Sequence, residues 1–136
     1  MLRMLYKESG LLGLSGISGD MRTLLASDAP EAAQAIEYYV LRARREVGAM
    51  AAVLGGIDAL VFCGGVGENA APIRQKIIEG LGYLGFELNE PANAVNAQEI
   101  GAGKSRIMVV PTDEERMIAR AVHHALETQV QTDRAC

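Results

Sequence analysis

The sequence predicts an α/β fold in which short buried strands alternate with amphipathic helices. Two continuous apolar runs, residues 58–64 and 105–111, have the length and composition of strands that are buried on both faces. A long stripe of apolar residues at helical spacing precedes the first run, and further helical stripes follow both runs. Alternation of this kind is typical of parallel sheets. We therefore expect one α/β unit whose two strands run parallel.

The N-terminal part of the chain predicts a glycine-rich loop followed by two helices. Residues 7–20 carry glycine at every third position from Gly10, which favours a loop held against a neighbouring element. A short helix follows at 19–27. Asp28 is expected to be the N-cap of a long helix that has Pro30 in its first turn and ends at Gly55 and Gly56. Its core-facing stripe comprises Ala32, Ile36, Tyr39, Ala43, Val47, Met50 and Leu54.

The second half of the chain predicts two more helices around the second strand. A helix after the glycines at 64–67 places Ile73, Ile77, Ile78 and Leu81 inward and Arg74 among the polar residues. Residues 83–88 are expected to form a short strand. A final helix is expected to bury Met117, Ile118, Ala121, Val122, Ala125 and Leu126. We expect residues 1–126 to form the folded unit and 127–136 a polar, disordered tail.

Composition excludes several classes of function. The 136 residues are 49% hydrophobic and 22% charged, with a formal net charge of −4, which gives no basic surface for nucleic acid or an anionic membrane. Cys63 and Cys136 lack the spacing of metal ligands, and such cysteine usage is typical of a reducing cytoplasm. No apolar run approaches the ~20 residues of a membrane span. We expect a cytoplasmic protein.

The stretch Gly65–Ala70, with the sequence GVGENA, predicts a ligand-binding turn. It follows a strand, precedes a helix and matches the G-x-G-x-x-G/A pattern of dinucleotide sites, with Glu87 about twenty residues further on. Glycines let the backbone approach a ligand, and a helix N-terminus favours phosphate. A tight turn without a ligand fits the same pattern. The pattern alone leaves the nucleotide open.

The stretch Pro111–Arg116, with the sequence PTDEER, allows both a structural and a metal-binding interpretation. Thr112 and Glu115 have the spacing of a capping box at the start of a helix. Adjacent carboxylates at the carboxyl end of a strand are also typical of a hard-cation site in an open α/β sheet. Glu114 is the carboxylate that the capping box does not need, so it is the candidate metal ligand.

Three segments in order, 9–22, 60–74 and 109–120, resemble the C-terminal part of the acetokinase family. Their sequences are SGLLGLSGISGDMR, LVFCGGVGENAAPIR and VVPTDEERMIAR, and the resemblance runs from about Tyr6 to about Leu126. It implies the C-terminal lobe of an actin, Hsp70 and sugar-kinase-like (ribonuclease H-like) fold. It also implies reversible transfer of the ATP γ-phosphoryl group to acetate, giving acetyl phosphate and ADP.

The resemblance implies roles for particular residues of this chain. It favours ATP or ADP over NAD as the ligand of the glycine motif, and Mg²⁺ as the cation. Glu114 is expected to bind that magnesium ion. The residues expected to contact the adenosine part of the nucleotide are Asp20, Met21, Arg22, Gly65, Val66, Gly67, Glu68 and Asn69.

The resemblance also implies what this chain lacks. The family's acyl-substrate site, catalytic aspartate and phosphate-binding segment have no counterpart here, so we expect no catalytic residue and no turnover by this chain alone. Acetate or a close short-chain acid would be bound by the missing part. Expected partners are that missing half or a second copy of the chain. Two alternatives stay open: an inactive association module, and an NAD-binding domain that uses Gly65, Gly67 and Glu87.

Overall fold

A computed structural model describes the backbone of residues 2–134 and all their side chains except those of Leu5, Glu114 and 127–134. The chain forms eight α-helices, two strands and one 3-10 turn within these residues. In order they are α1 Leu2–Lys7, α2 Gly10–Ser15, α3 Met21–Leu25, α4 Pro30–Leu54, β1 Ala59–Phe62, α5 Gly64–Asn69, α6 Ala71–Glu79, the 3-10 turn Gly82–Leu84, α7 Glu90–Ala94, β2 Arg106–Val109 and α8 Glu114–Arg134. None of these helices is both long and apolar enough to cross a membrane.

The two predicted strands pair in parallel, as expected. Ala59 lies opposite Arg106 and Phe62 lies opposite Val109. The prediction that β1 is buried on both faces is wrong, because Val61 on one face is 49% exposed while Leu60 and Phe62 are partly buried. Within the described residues β1 has a free edge. The outer edge of β2 is met by residues 98–100, where Glu99 bridges Met108 and the Val109 N–H donates to the Gln98 carbonyl at 2.9 Å.

The core lies between β2, the 25-residue helix α4 and the shorter helices α3 and α6. Helix α4 packs against α2, α3 and α6. Apolar side chains at helical spacing fill these contacts, and removing this surface from water is the main stabilising contribution. The buried members include Met21, Leu24, Ala32, Ile36, Val40, Ile73, Ile77, Ile78, Leu81, Ile107 and Val109.

Helix α4 begins one residue later than predicted. Its N-cap is Ala29 rather than Asp28, because the residue before a proline is held in an extended conformation and Pro30 then starts the helix. Gly55, with φ 73, ends the helix as predicted. The predicted stripe is buried at Ala32 and Ile36, but its last members, Met50 and Leu54, are exposed.

The predicted glycine-rich loop at 7–20 is wrong at residues 10–15, which are helical, whereas residues 16–20 lie outside any helix or strand, as predicted. Residues Gly10–Ser15 form α2, which packs against α4 and ends at Gly16 with φ 65. The buried hydroxyl of Ser15 donates to the carbonyl of Leu11 at 2.7 Å. Packing on α4 outweighs the low helix propensity of glycine here.

The predicted strand at 83–88 is also absent. The 3-10 turn and Gly85, with φ 84, break the extended backbone, and Leu88 forms a single antiparallel bridge with Gly101. A side chain at Gly85 would be strained at this φ.

Helix α8 differs from the prediction at its start and along its apolar face. Its N-cap is Asp113, whose Oδ1 accepts the Arg116 N–H at 2.9 Å, so the predicted capping box of Thr112 and Glu115 does not form. The residues predicted to face inward are exposed, because no described element packs over this face. Helical backbone continues past residue 126 to Arg134; the predicted disordered tail stays a prediction.

Candidate functional site

Helix α3 is introduced by the predicted segment Asp20–Arg22. Asp20 is the N-cap, and its Oδ1 accepts the Arg22 N–H at 2.9 Å. The Arg22 guanidinium donates back to Oδ2 at 2.8 Å. This hydrogen bond lowers the pKa of Asp20 and raises that of Arg22. The pair is exposed, so it presents both a cation and an anion to solvent, while Met21 anchors the segment in the core.

The glycine motif is a short helix rather than the predicted turn. Gly64 has φ 69 and lets the chain leave β1 directly into α5. Gly67 lies against the end of β1, where a Cβ atom would come within 3.2 Å of the Phe62 carbonyl carbon. The Asn69 amide donates to the Gly65 carbonyl at 3.0 Å. The glycines thus allow α5 to sit directly on the carboxyl end of the strand.

These two segments meet across an open cleft of about 730 Å³. Of the eight residues predicted to bind the nucleotide, six line it, whereas Gly67 and Glu68 do not. Leu25 and Ala70 add apolar surface. The lining residues are Gly19, Asp20, Met21, Arg22, Leu25, Gly65, Val66, Asn69 and Ala70. The cleft combines an apolar floor with a few polar groups, which is typical of small-molecule sites.

Glu68 links the glycine motif to the predicted magnesium segment. Its Oε1 accepts hydrogen bonds from the Gly64 N–H at 2.8 Å, the Thr112 N–H at 2.9 Å and the Thr112 hydroxyl at 3.0 Å. The hydrogen bonds from Thr112, followed by that from Gly64, hold the pKa of this half-buried carboxyl below its usual value. Glu68 therefore joins the start of α5 to the residues just before α8.

The structure leaves the predicted metal ligand undescribed. Glu114 begins α8, and its side chain lies outside the described residues. Within the part of the chain that is described, no group of three or more His, Cys, Asp or Glu side chains is arranged to hold a metal ion. The role of Glu114 stays a prediction. Cys63, which lies between β1 and α5, is exposed.

The residue required by the dinucleotide alternative lies away from the cleft. Glu87 lines a separate cavity of about 230 Å³ together with Gln75 and Phe86. Its carbonyl accepts the Ala102 N–H at 2.8 Å. The glycine motif and Glu87 therefore do not share one site.

Sequence reasoning missed Arg74, which was expected among the polar residues of α6. Its side chain is fully buried and donates to the carbonyls of Gly67 and Glu68 at 2.9 and 3.0 Å. Ile77 and Ile78 lie three and four residues further along the helix, so helical spacing places Arg74 on the apolar face. That spacing was the available signal.

Comparison with known proteins identifies the family. A model of the acetokinase family matches residues 1–120. The chain belongs to the acetokinase family. Acetate kinase of Methylocella silvestris is 58% identical over 119 residues, which is 86% of this acetokinase chain and 30% of that protein.

Solved structures of acetokinases confirm the predicted fold. Acetate kinase of Porphyromonas gingivalis matches with a TM-score of 0.81 and 37% identity over 92% of this chain and 33% of that protein. A propionate kinase of Francisella tularensis matches with a TM-score of 0.79 and 42% identity over 87% of this chain and 32% of that protein. The chain thus has the α/β fold of part of an acetokinase, of the actin, Hsp70 and sugar-kinase type, and spans about a third of the length of these relatives.

Proposed function

We propose that this chain forms the adenosine-binding part of an acetate kinase. The observation that carries the proposal is the meeting of Asp20–Arg22 with Gly65, Val66 and Asn69 across one cleft. Arg22 supplies a cation for a phosphate oxygen, Asn69 supplies a side-chain amide, and the apolar floor accepts a base. The complete enzyme would transfer the γ-phosphoryl group of ATP reversibly to acetate.

Magnesium would be bound at the start of α8. Thr112 is hydrogen-bonded to Glu68 of the glycine motif, so the acidic residues that follow it come next to the nucleotide segment. Carboxylate oxygens are the donors that Mg²⁺ prefers, so the residue types fit. We assign the ligand role to Glu114, since Asp113 is occupied as the N-cap. Bound there, magnesium would neutralise charge on the phosphate oxygens during transfer.

Thermal unfolding of the chain with ADP, ADP plus Mg²⁺, and NAD tests the nucleotide proposal. A ligand at 100 times its dissociation constant adds about 2.7 kcal/mol of stability. We expect stabilisation by ADP, more with Mg²⁺, and none by NAD. Stabilisation by NAD alone would overturn the proposal and favour the dinucleotide alternative.

Glu114→Gln tests the metal role, with Glu115→Gln as its matched control. Both changes remove one negative charge from the first turn of α8 and so weaken its helix dipole interaction to a similar extent. Only Glu114→Gln should abolish the difference between ADP and ADP plus Mg²⁺. Equal loss in both variants would show that the charge of the segment, rather than Glu114, is what matters.

An association role is the second candidate, and the exposed apolar face of α8 favours it. Met117, Ile118, Val122 and Leu126 are all exposed, and β1 has a free edge within the described residues. Continuous apolar surface of this kind is typical of a protein interface. The occupant would be either the remaining part of an acetokinase or a second copy of this chain.

Complementation distinguishes the two occupants. The chain is mixed with the N-terminal two-thirds of the Methylocella silvestris acetate kinase, and acetyl phosphate formation and the mass of the complex are measured. We expect activity only in the mixture, with a one-to-one complex. A homodimer that excludes the added part, with no activity, would favour the association module and contradict the proposal that the chain forms part of an acetate kinase.

A further inference from the structure

Arg74 is the largest fully buried side chain among the described residues. Its Nε donates to Asn93 Oδ1 at 2.7 Å, and one terminal nitrogen donates to the Asn93 carbonyl at 2.8 Å and to Asn96 Oδ1 at 2.6 Å. The other terminal nitrogen donates to the carbonyls of Gly67 and Glu68. All five N–H groups of the guanidinium are therefore used, and every acceptor is a neutral oxygen.

Burying the Arg74 guanidinium is unfavourable in free energy, so the site must compensate for the lost hydration. Burying a charge without an opposite charge is unfavourable, and burial lowers the pKa of Arg74 accordingly. The carbonyls at the C-terminal end of a helix carry partial negative charge, which favours a cation there. Gly67 and Glu68 provide two such carbonyls at the end of α5. The guanidinium thus caps α5 from the first turn of the next helix, α6.

The same guanidinium also reaches α7 and the residues just after it. Asn93 is buried, and its amide donates to the carbonyl of Ala71, the first residue of α6, at 3.0 Å. Asn96 has φ 52, a left-handed conformation that asparagine tolerates, and its Oδ1 accepts the hydrogen bond from Arg74. Three elements, α5, α6 and α7, are therefore joined at one side chain.

We propose that Arg74 is a positioning residue for the adenosine cleft. It fixes the orientation of α5, so that Gly65, Val66 and Asn69 keep their places opposite Asp20 without Arg74 touching the ligand. Glu68 holds the start of α5 and Arg74 holds its end, which leaves this short helix little freedom. The inference deepens the proposed function and rests on it.

Two variants and one control test the proposal in the 136-residue chain. Arg74→Met removes the whole network, and Asn96→Gly removes one acceptor while suiting φ 52. The control is Ser105→Ala. Ser105 is buried and its hydroxyl donates to the carbonyls of Ile57 and Leu84, but it lies outside the cleft. The Ser105→Ala variant therefore measures the effect of losing buried hydrogen bonds at a position away from the cleft.

The two readouts are the dissociation constant of ADP by calorimetry and hydrogen exchange of the amides of residues 64–70. We expect Arg74→Met to raise the constant about tenfold or more, equivalent to about one lost hydrogen bond, and Asn96→Gly to raise it less. Exchange at 64–70 should accelerate in both variants. Ser105→Ala should leave the dissociation constant and this exchange unchanged even where its melting temperature falls equally.

Equal changes in the Arg74 and Ser105 variants would overturn the proposal, as would unchanged exchange at 64–70 in Arg74→Met. Failure of the proposed function is distinguishable from this, because it appears as no ADP binding by the unaltered chain. In that event hydrogen exchange, which needs no ligand, still decides whether Arg74 positions α5.

Discussion

Two glycines of the same short helix are expected to respond in opposite directions to substitution by alanine. Gly65 and Gly67 both lie inside α5. Alanine is favoured over glycine in a helix interior by about 1 kcal/mol, so propensity alone predicts that both substitutions stabilise the protein. The two substitutions differ in the space available for the added Cβ atom.

At Gly65 the added Cβ meets no heavy atom within 4 Å, whereas at Gly67 it comes 3.2 Å from the Phe62 carbonyl carbon and 3.5 Å from the Phe62 Cα. Phe62 cannot retreat easily, because its carbonyl accepts the Val110 N–H at 2.9 Å within the sheet. Overpacking of this kind costs about 1–3 kcal/mol. After the gain in propensity, Gly67→Ala should destabilise the protein by up to about 2 kcal/mol, and Gly65→Ala should stabilise it by up to about 1 kcal/mol.

Urea unfolding of the two variants and the unaltered chain measures this difference. The free energy of unfolding should be lower for Gly67→Ala than for Gly65→Ala by about 1–3 kcal/mol, with unchanged m-values. Because Gly65 lines the cleft, its alanine variant should also bind ADP less tightly. If Gly67→Ala proved as stable as Gly65→Ala, the close contact between α5 and β1 would not constrain the helix and the reasoning would fail.

Two further predictions concern the hydrogen bonds around Thr112 and α8. The folded-state pKa of Glu68 lies below its ordinary value of 4.5, so its stabilising contribution is complete above about pH 4.5 and is lost as the pH falls through the folded-state pKa. Glu68→Gln keeps an acceptor oxygen but should flatten the dependence of the free energy of unfolding on pH between about 3 and 5, and an unchanged slope would contradict the assignment. Asp113→Ala should lower the free energy of unfolding, measured with urea, by about 1 kcal/mol, because it removes the N-cap of α8. Thr112→Val should leave the helical circular dichroism signal unchanged. If Thr112→Val lowered the helical signal and Asp113→Ala left stability unchanged, Thr112 rather than Asp113 would be the N-cap.

Helices and strands were largely predictable where their signals are local. The spacing of Ile73, Ile77 and Ile78 places them in the core, and Gly55 ends α4 as expected. Errors arose where a neighbouring residue or a distant element decided the outcome. Pro30 moved the N-cap to Ala29, and packing against α4 made a helix of the glycine-rich segment 10–15.

Burial was less predictable than secondary structure. The apolar residues of α8 have the spacing of a core-facing helix, yet Ile118 and Val122 are exposed. Arg74 shows the opposite error, since a charged residue expected outside is fully buried. Periodicity identifies an apolar face but does not show whether another element of this chain covers it. The charge of a side chain does not show whether the interior offers carbonyl groups that would accept its hydrogen bonds.

The sequence by itself determined the family, the α/β class and most of the residues that line the cleft. Those properties depend on residue type and short-range spacing, which are present in Asp20–Arg22 and Gly65–Asn69 before the chain folds. Tertiary structure alone decided that Glu68 accepts hydrogen bonds from Thr112 and that Arg74 donates hydrogen bonds to the carbonyls at the end of α5. The first pair lies 44 residues apart, and a hydrogen bond is directional and acts over about 3 Å, so only the packed arrangement of the strands and helices can bring such partners together.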